Sequence, residues 1–100
     1  MTVDTIPAAS GPLVLAKRLD LTEAAALRQS LLDRAGQAVT LDAGRVAHLG
    51  GLCLQVLLSA ARDWRAAGRA LKINARSAGF DAALSTFAVP LASLESAVAT

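Results

Sequence analysis

The residues able to do chemistry are few, and most gather near the middle of the chain: Asp42, His48, Cys53 and Ser59, with a Gly50–Gly51 pair among them. Cys53 is the single cysteine, so there is no disulfide framework and no cysteine cluster for zinc. A helix start would favour its thiolate, but no resolving cysteine accompanies it, and the simplest reading is a small buried apolar residue. His48 is the only histidine and has neither a neighbouring nucleophile nor companion ligands, which leaves it structural. Asp42 closes an apolar stretch, where a phosphate-accepting aspartate would stand at a strand end. That chemistry needs a further acidic pair to hold Mg²⁺, whereas the earlier strand exit reads "AKRLD", bases first. Asp42 therefore reads as a turn or cap residue. No general acid/base pair or activated nucleophile emerges from the spacing, and the expectation is a chain with no catalytic residue, no cofactor and no metal.

The glycines pose the sharper question, because "HLGGLCLQVLLSAARDW" runs from a strand exit through Gly50 and Gly51 into a long apolar helix. Two readings stand. Backbone amides at a helix start can hold an anion, and glycines let it approach closely. Alternatively, the pair makes a tight, φ-permissive turn and lets another backbone come near. Along the helix, Gln55, Ser59, Arg62 and Arg69 fall close to one stripe opposite the apolar seam, which is either a solvated face or a partner-binding one. Trp64, the only tryptophan, suits core packing better than an interface anchor.

Composition bounds the rest. One hundred residues with 54% apolar content support one compact domain and not two. Ten basic and eight acidic residues are scattered without runs, and the three aromatics are too few for a stacking surface, which argues against nucleic acid. The opening "MTVDTIPAASG" carries an acid and a proline where an export signal needs positive charge and a long apolar run. The most apolar segment, 49–61, is interrupted by Gln55 and Ser59 and falls short of the ~20 residues a membrane span requires. Mean hydropathy is +0.47, much of it alanine. A reduced, cytoplasmic compartment is expected.

The elements that must position these residues alternate. Residues 1–11 read as a polar lead with a short strand at 2–6, and 12–100 as a single domain. "LVLAKRL" (13–19) reads as a strand. In "DLTEAAALRQSLLDRAG" the period turns helical, with Thr22 as N-cap, Glu23 favouring the positive dipole end and Gly36 as the stop. Ala24, Leu27, Leu31 and Leu32 form its apolar stripe. A strand follows at 38–44 and a brief apolar segment at 46–49. A helix over about 52–67 shows Leu54, Leu57, Leu58, Ala61 and Trp64 or Arg65 on one face, and Gly68 closes it. "ALKIN" (70–74) is a strand, and 77–87 a short helix with Phe80, Leu84 and Phe87 aligned. Val89, Pro90 and Leu91 break it before a last turn or two of helix. Strand and helix alternating with short linkers imply one sheet with helices packed over it.

This order resembles the STAS domain, named for sulphate transporters and anti-sigma-factor antagonists. The likeness runs over about 13–91 and rests on "LDLTEAAALRQSLL", "VTLDAGRV", "LQVLLSAARDWRAAGRALKI" and "SAGFDAALSTFAV" in that order. It implies an α/β sandwich, a small mixed sheet covered by helices mainly on one face, acting as a binding module. In the antagonist branch the second helix opens with Asp-Ser-Ser-Gly-Leu, one serine of which a partner kinase phosphorylates. Aligning that leucine with Leu54 sets the aspartate at Gly50, the serines at Gly51 and Leu52, and the glycine at Cys53. No hydroxyl stands at either serine position, so no phosphorylation is expected there.

"LGGLCLQVLLSA" is similar to the same helix in small STAS proteins found with bacterial chemotaxis genes. The partner so implied is a histidine kinase with a GHKL-type ATPase domain, bound through Gly50, Gly51, Leu52, Gln55, Val56, Ser59 and Arg62. Leu52 and Val56 would form the apolar centre, with Gln55, Ser59 and Arg62 as a polar rim. Two alternatives remain: a STAS subunit of a lipid-transporting ABC complex, and an antagonist phosphorylated at a displaced serine such as Ser59 or Ser77.

Overall fold

The computed structural model describes residues 11–96, so the short strand expected at 2–6 lies outside the described residues. Strand β1 spans Leu13–Val14 and β2 Arg18–Leu19. A 3-10 turn, Leu21–Glu23, leads into helix α1, Ala24–Leu32. Strand β3, Val39–Ala43, and β4, His48–Leu49, precede helix α2, Gly51–Ala66. Strand β5, Leu71–Arg76, helix α3, Ala78–Thr86, and a 3-10 turn, Leu91–Leu94, complete the order.

The stretch 13–19 is not one strand but two. Leu15 N–H still donates to Asp42 O at 2.9 Å, but two residues later Lys17 O accepts from Ala47 and His48. The chain thus leaves β3 for β4 between Leu15 and Lys17, which makes a parallel sheet β1-β3-β5 and a parallel pair β2-β4. The antiparallel member among the described residues is a single bridge, Leu71 to Ser96, which covers part of the β5 edge. The last helical turn expected there is the 3-10 turn at 91–94, after which Glu95 is extended; the remainder of the expected segment lies outside the described residues. Glu95 fixes the chain there by accepting from Ile73 N–H at 2.9 Å, and Ser96 Oγ donates to Arg69 O at 2.8 Å.

Alternation sets the layers. In β3, Val39, Leu41 and Ala43 are buried while Thr40 and Asp42 are half-buried, and in β5 Leu71 and Ile73 are buried while Lys72 and Asn74 are exposed. The buried face shares one core with Ala24, Leu27 and Leu31 of α1 and Leu54, Leu57 and Ala61 of α2. Each leucine hidden in this way contributes on the order of 2 kcal/mol. The architecture is the α/β, STAS-like arrangement expected from the sequence.

Two local expectations change. Asp20, not Thr22, is the cap: its carboxylate accepts from Thr22 N–H at 3.1 Å and from Thr22 Oγ1 at 2.6 Å, because a 3-10 turn is inserted before α1 begins. Leu32, placed on the buried stripe by spacing, is half exposed, as is Phe87 at the end of α3. Gly68 does close α2. It takes φ +71, and Arg69 N–H returns to Trp64 O at 2.9 Å in a Schellman motif. Gly36 also takes a positive φ, +88, but only after residues 33–35 have continued α1 as turns.

Candidate functional site

The start of α2 is built on the exit of β2. Gly50 is the N-cap residue in extended conformation, with φ −84 and ψ 167, and no side chain caps the helix. Its N–H donates to Leu19 O at 2.8 Å, and Cys53 Sγ, one turn on, donates to Asp20 O at 3.2 Å. Neither glycine of the pair takes a positive φ, so the φ-permissive half of the turn reading fails. The close-approach half holds at Gly50, where a β-carbon would stand 3.3 Å from Leu19 O and 3.9 Å from Asp20 Cα.

Helix α3 reaches the same place from the other side. Ser77 caps it by accepting from Phe80 N–H at 3.0 Å and donates its hydroxyl to Val46 O. Gly79 lies so near the β3–β4 connection that a β-carbon there would be 2.7 Å from Ala47 O. Anchored in this way, α3 ends with the Phe87 ring over Gly51, with Cε1 and Cζ each 3.8 Å from where a Gly51 β-carbon would be. Ala88 then takes φ +56, with Val89 N–H bonded to Leu84 O and Ala88 N–H to Ser85 O, a second Schellman motif without its usual glycine.

The result is a small apolar surface at the α2 start, where Leu52 is 49% exposed and Phe87 43%; Leu21, beside the Asp20 cap, is 74% exposed. Neither Leu21 nor Phe87 was among the expected contact residues, because each belongs to another element. Leu21 stands in the inserted 3-10 turn, and Phe87 follows the last residue of α3.

The remaining expected residues lie further along α2. Gln55, Ser59 and Arg62 are exposed, Val56 is half-buried against the core, and all four line a groove between α1 and α2 together with Arg28 and Leu32 of α1. Arg62 lies ten positions, about 15 Å, along the helix from Leu52, whereas Gln55 and Val56 stand one turn from it, so the expected set runs from the end patch into a groove that begins beside it. Arg69 belongs to neither: it follows Gly68, beyond the helix. Trp64 is buried and donates Nε1–H to Gln37 O at 2.7 Å.

The chemistry available is limited. Cys53 is fully buried, and burial, with the Asp20 and Glu23 charges adding to it, pushes its thiol pKa up. Asp20 moves the other way: the hydrogen bond from the Thr22 hydroxyl, with smaller help from backbone N–H groups and Arg18, holds its carboxyl below the usual range. Asp42 accepts from Gly44 N–H at 2.9 Å, as a turn residue does. Of the displaced serines, Ser77 is committed to its cap and to Val46, whereas Ser59 is exposed. Among the described residues no three His, Cys, Asp or Glu side chains converge as a metal site would require, and no helix is long and apolar enough to cross a membrane.

A parallel α/β domain whose second helix opens on a glycine pair, under a neighbouring aromatic ring, is the class of protein defined here. Residues 3–89 match the family model described as "Mlab, STAS domain". That is most of the chain, and the chain belongs to the STAS domain family. Neither a curated protein nor a solved structure matches it.

Proposed function

We propose that the chain is a non-catalytic signalling adaptor of the bacterial cytoplasm that docks on a chemotaxis-type histidine kinase, at or beside its GHKL-type ATPase domain. The observation that carries this reading is the exposed apolar surface at the start of α2, formed by Leu52 and by the Phe87 ring packed beside Gly51, with Leu21 exposed in the 3-10 turn that follows Asp20. Exposed apolar side chains gathered on one spot suit the desolvated centre of an interface. Gly50 lets Leu19 O and Asp20 come close, and Gly51 leaves room for the Phe87 ring beside Leu52. Gln55, Ser59 and Arg62 supply polar groups beyond it.

The test is binding of the purified kinase to the wild-type chain and to Leu52→Asp and Arg62→Glu. Both positions are exposed, so both variants are expected to fold, with an unchanged thermal midpoint as the check. Leu52→Asp is expected to weaken binding at least tenfold and Arg62→Glu less. Unchanged affinity in folded Leu52→Asp removes this face from the account.

A second reading is favoured by the missing hydroxyls at Gly51 and Leu52, which suit a permanent contact rather than a phosphorylation cycle. It is a STAS subunit of a lipid-transporting ABC complex, and a stable stoichiometric complex with an ABC ATPase would replace the kinase. A third, phosphorylation at the exposed Ser59, is tested by intact mass after incubation with kinase and ATP. A gain of ~80 Da, absent in Ser59→Ala, supports it.

A further inference from the structure

Between α1 and α2 the surface carries an open groove of about 380 Å³. Its floor is apolar, formed by Leu31, Val56, Ala60 and Trp64, and its lips carry Arg28 from α1 and Arg62 from α2. Leu32 stands half exposed on the α1 side, although helical spacing would turn it inward. The ion pairs among the described residues are Arg18–Asp20 and Arg76–Asp81, so neither groove arginine is paired with an acid among them. Asp63 is the one acid in the lining, which leaves an excess of positive charge across an apolar floor.

We propose that this groove takes an acidic amphipathic helix of the protein partner. The proposal rests on the adaptor reading for its setting and names the second contact on the same partner, along α2 from Gln55, one turn past Leu52, to Arg62, about 15 Å from it. A helix laid over two neighbouring helices presents a ridge to the groove between them, and anchors at three and four spacing fill it. Leucine-like anchors would cover Leu32 and Val56 while carboxylates flanking them meet Arg28 on one lip and Arg62 on the other. A small anionic ligand suits the site less well: such ligands are held in pockets that bury most of their surface, and this groove is open along its length.

Trp64 makes the test direct, because the only tryptophan of the chain lies in the groove lining. The purified chain is titrated with two synthetic amphipathic peptides of about 18 residues, long enough to be helical in solution. Both carry leucine on one face; the other face carries glutamate in one and lysine in the second. The glutamate peptide is expected to shift Trp64 emission saturably and to bind about tenfold more tightly than the lysine peptide. The exposed double substitution Arg28→Glu, Arg62→Glu should reverse that order, with an unchanged thermal midpoint as the control for folding. Equal affinity for both peptides, no response to either at millimolar concentration, or the same order in the charge-reversed variant overturns the proposal. So does saturable binding of decanoate with no response to the glutamate peptide, which would make the occupant a small amphiphile. No kinase enters this titration, so its failure leaves the adaptor reading standing, and loss of the kinase contact at Leu52 leaves the groove standing.

Discussion

The ring of Phe87 covers Gly51, with its Cε1 and Cζ 3.8 Å from the position of a Gly51 β-carbon. This contact joins the last turn of α3 to the first turn of α2 and sets the apolar surface on which the functional reading depends. It exists because α3 is held tightly at its own start, by Ser77 on Val46 and by Gly79 against Ala47.

Gly79→Ala tests that hold. The new methyl would stand 2.7 Å from Ala47 O and 2.9 Å from Val46 O, both backbone, so one segment must move. The expected cost is about 2 kcal/mol or more, read from urea unfolding. Displacing α3 also moves Phe87 from Gly51, so kinase binding should fall along with stability.

The two Schellman motifs give an opposed pair of predictions. Ala88 takes φ +56 without being glycine, whereas Gly68 takes φ +71 with open space where its β-carbon would be. Relieving the first with Ala88→Gly should stabilise the fold by about 0.5–1 kcal/mol, and Gly68→Ala should destabilise it by about 1 kcal/mol. Thermal or urea unfolding of both variants checks the signs.

These motifs also mark how far the sequence could be read. Gly68 was legible as a helix stop, and the start of the 77–87 helix was placed at Ser77, because helix ends are local choices of backbone and side chain. The division of 13–19 between β3 and β4 was not, since nothing in "LVLAKRL" records which distant strand each residue will meet. Asp20 and Thr22 are both good caps in sequence, and only the inserted 3-10 turn selects Asp20. Leu32 and Phe87 were assigned inward by helical period, yet the packing of α1 on α2 and the end of α3 leave them outward. Gln55, Ser59 and Arg62 were visible as a stripe. Their partners across the groove, Arg28 and Leu32, depend on how α1 and α2 pack, and helical period does not encode that.

Asp20 gives a pH dependence whose sign follows from its bonds. Its carboxyl is held below the ordinary aspartate value of about 3.9, chiefly by the Thr22 hydroxyl. The stabilisation is therefore complete above that ordinary value and is lost as pH falls through the lower, folded-state value. Asn at this position keeps a capping acceptor but cannot ionise. In a series of unfolding curves between about pH 6 and pH 2, Asp20→Asn should lose less stability than the wild-type chain toward the acid end. Parallel acid limbs for the two proteins would remove Asp20 from the explanation.

Cys53 should be silent in the folded protein. It is fully buried, donates to Asp20 O, and its thiol pKa is raised by burial. A thiol reagent at pH 8 is expected to label less than a tenth of the folded chain in the time it labels the urea-unfolded chain fully. Equal rates in the two states would mean that the start of α2 opens readily.

The most direct test of the central claim is affinity purification from the native cell with wild-type and Leu52→Asp chains as parallel baits, read by quantitative mass spectrometry. The account predicts that a histidine kinase with a GHKL-type ATPase domain is enriched on the wild-type chain and lost from the folded Leu52→Asp chain. Equal recovery of that kinase on both baits, or recovery of an ABC ATPase in its place, would contradict it.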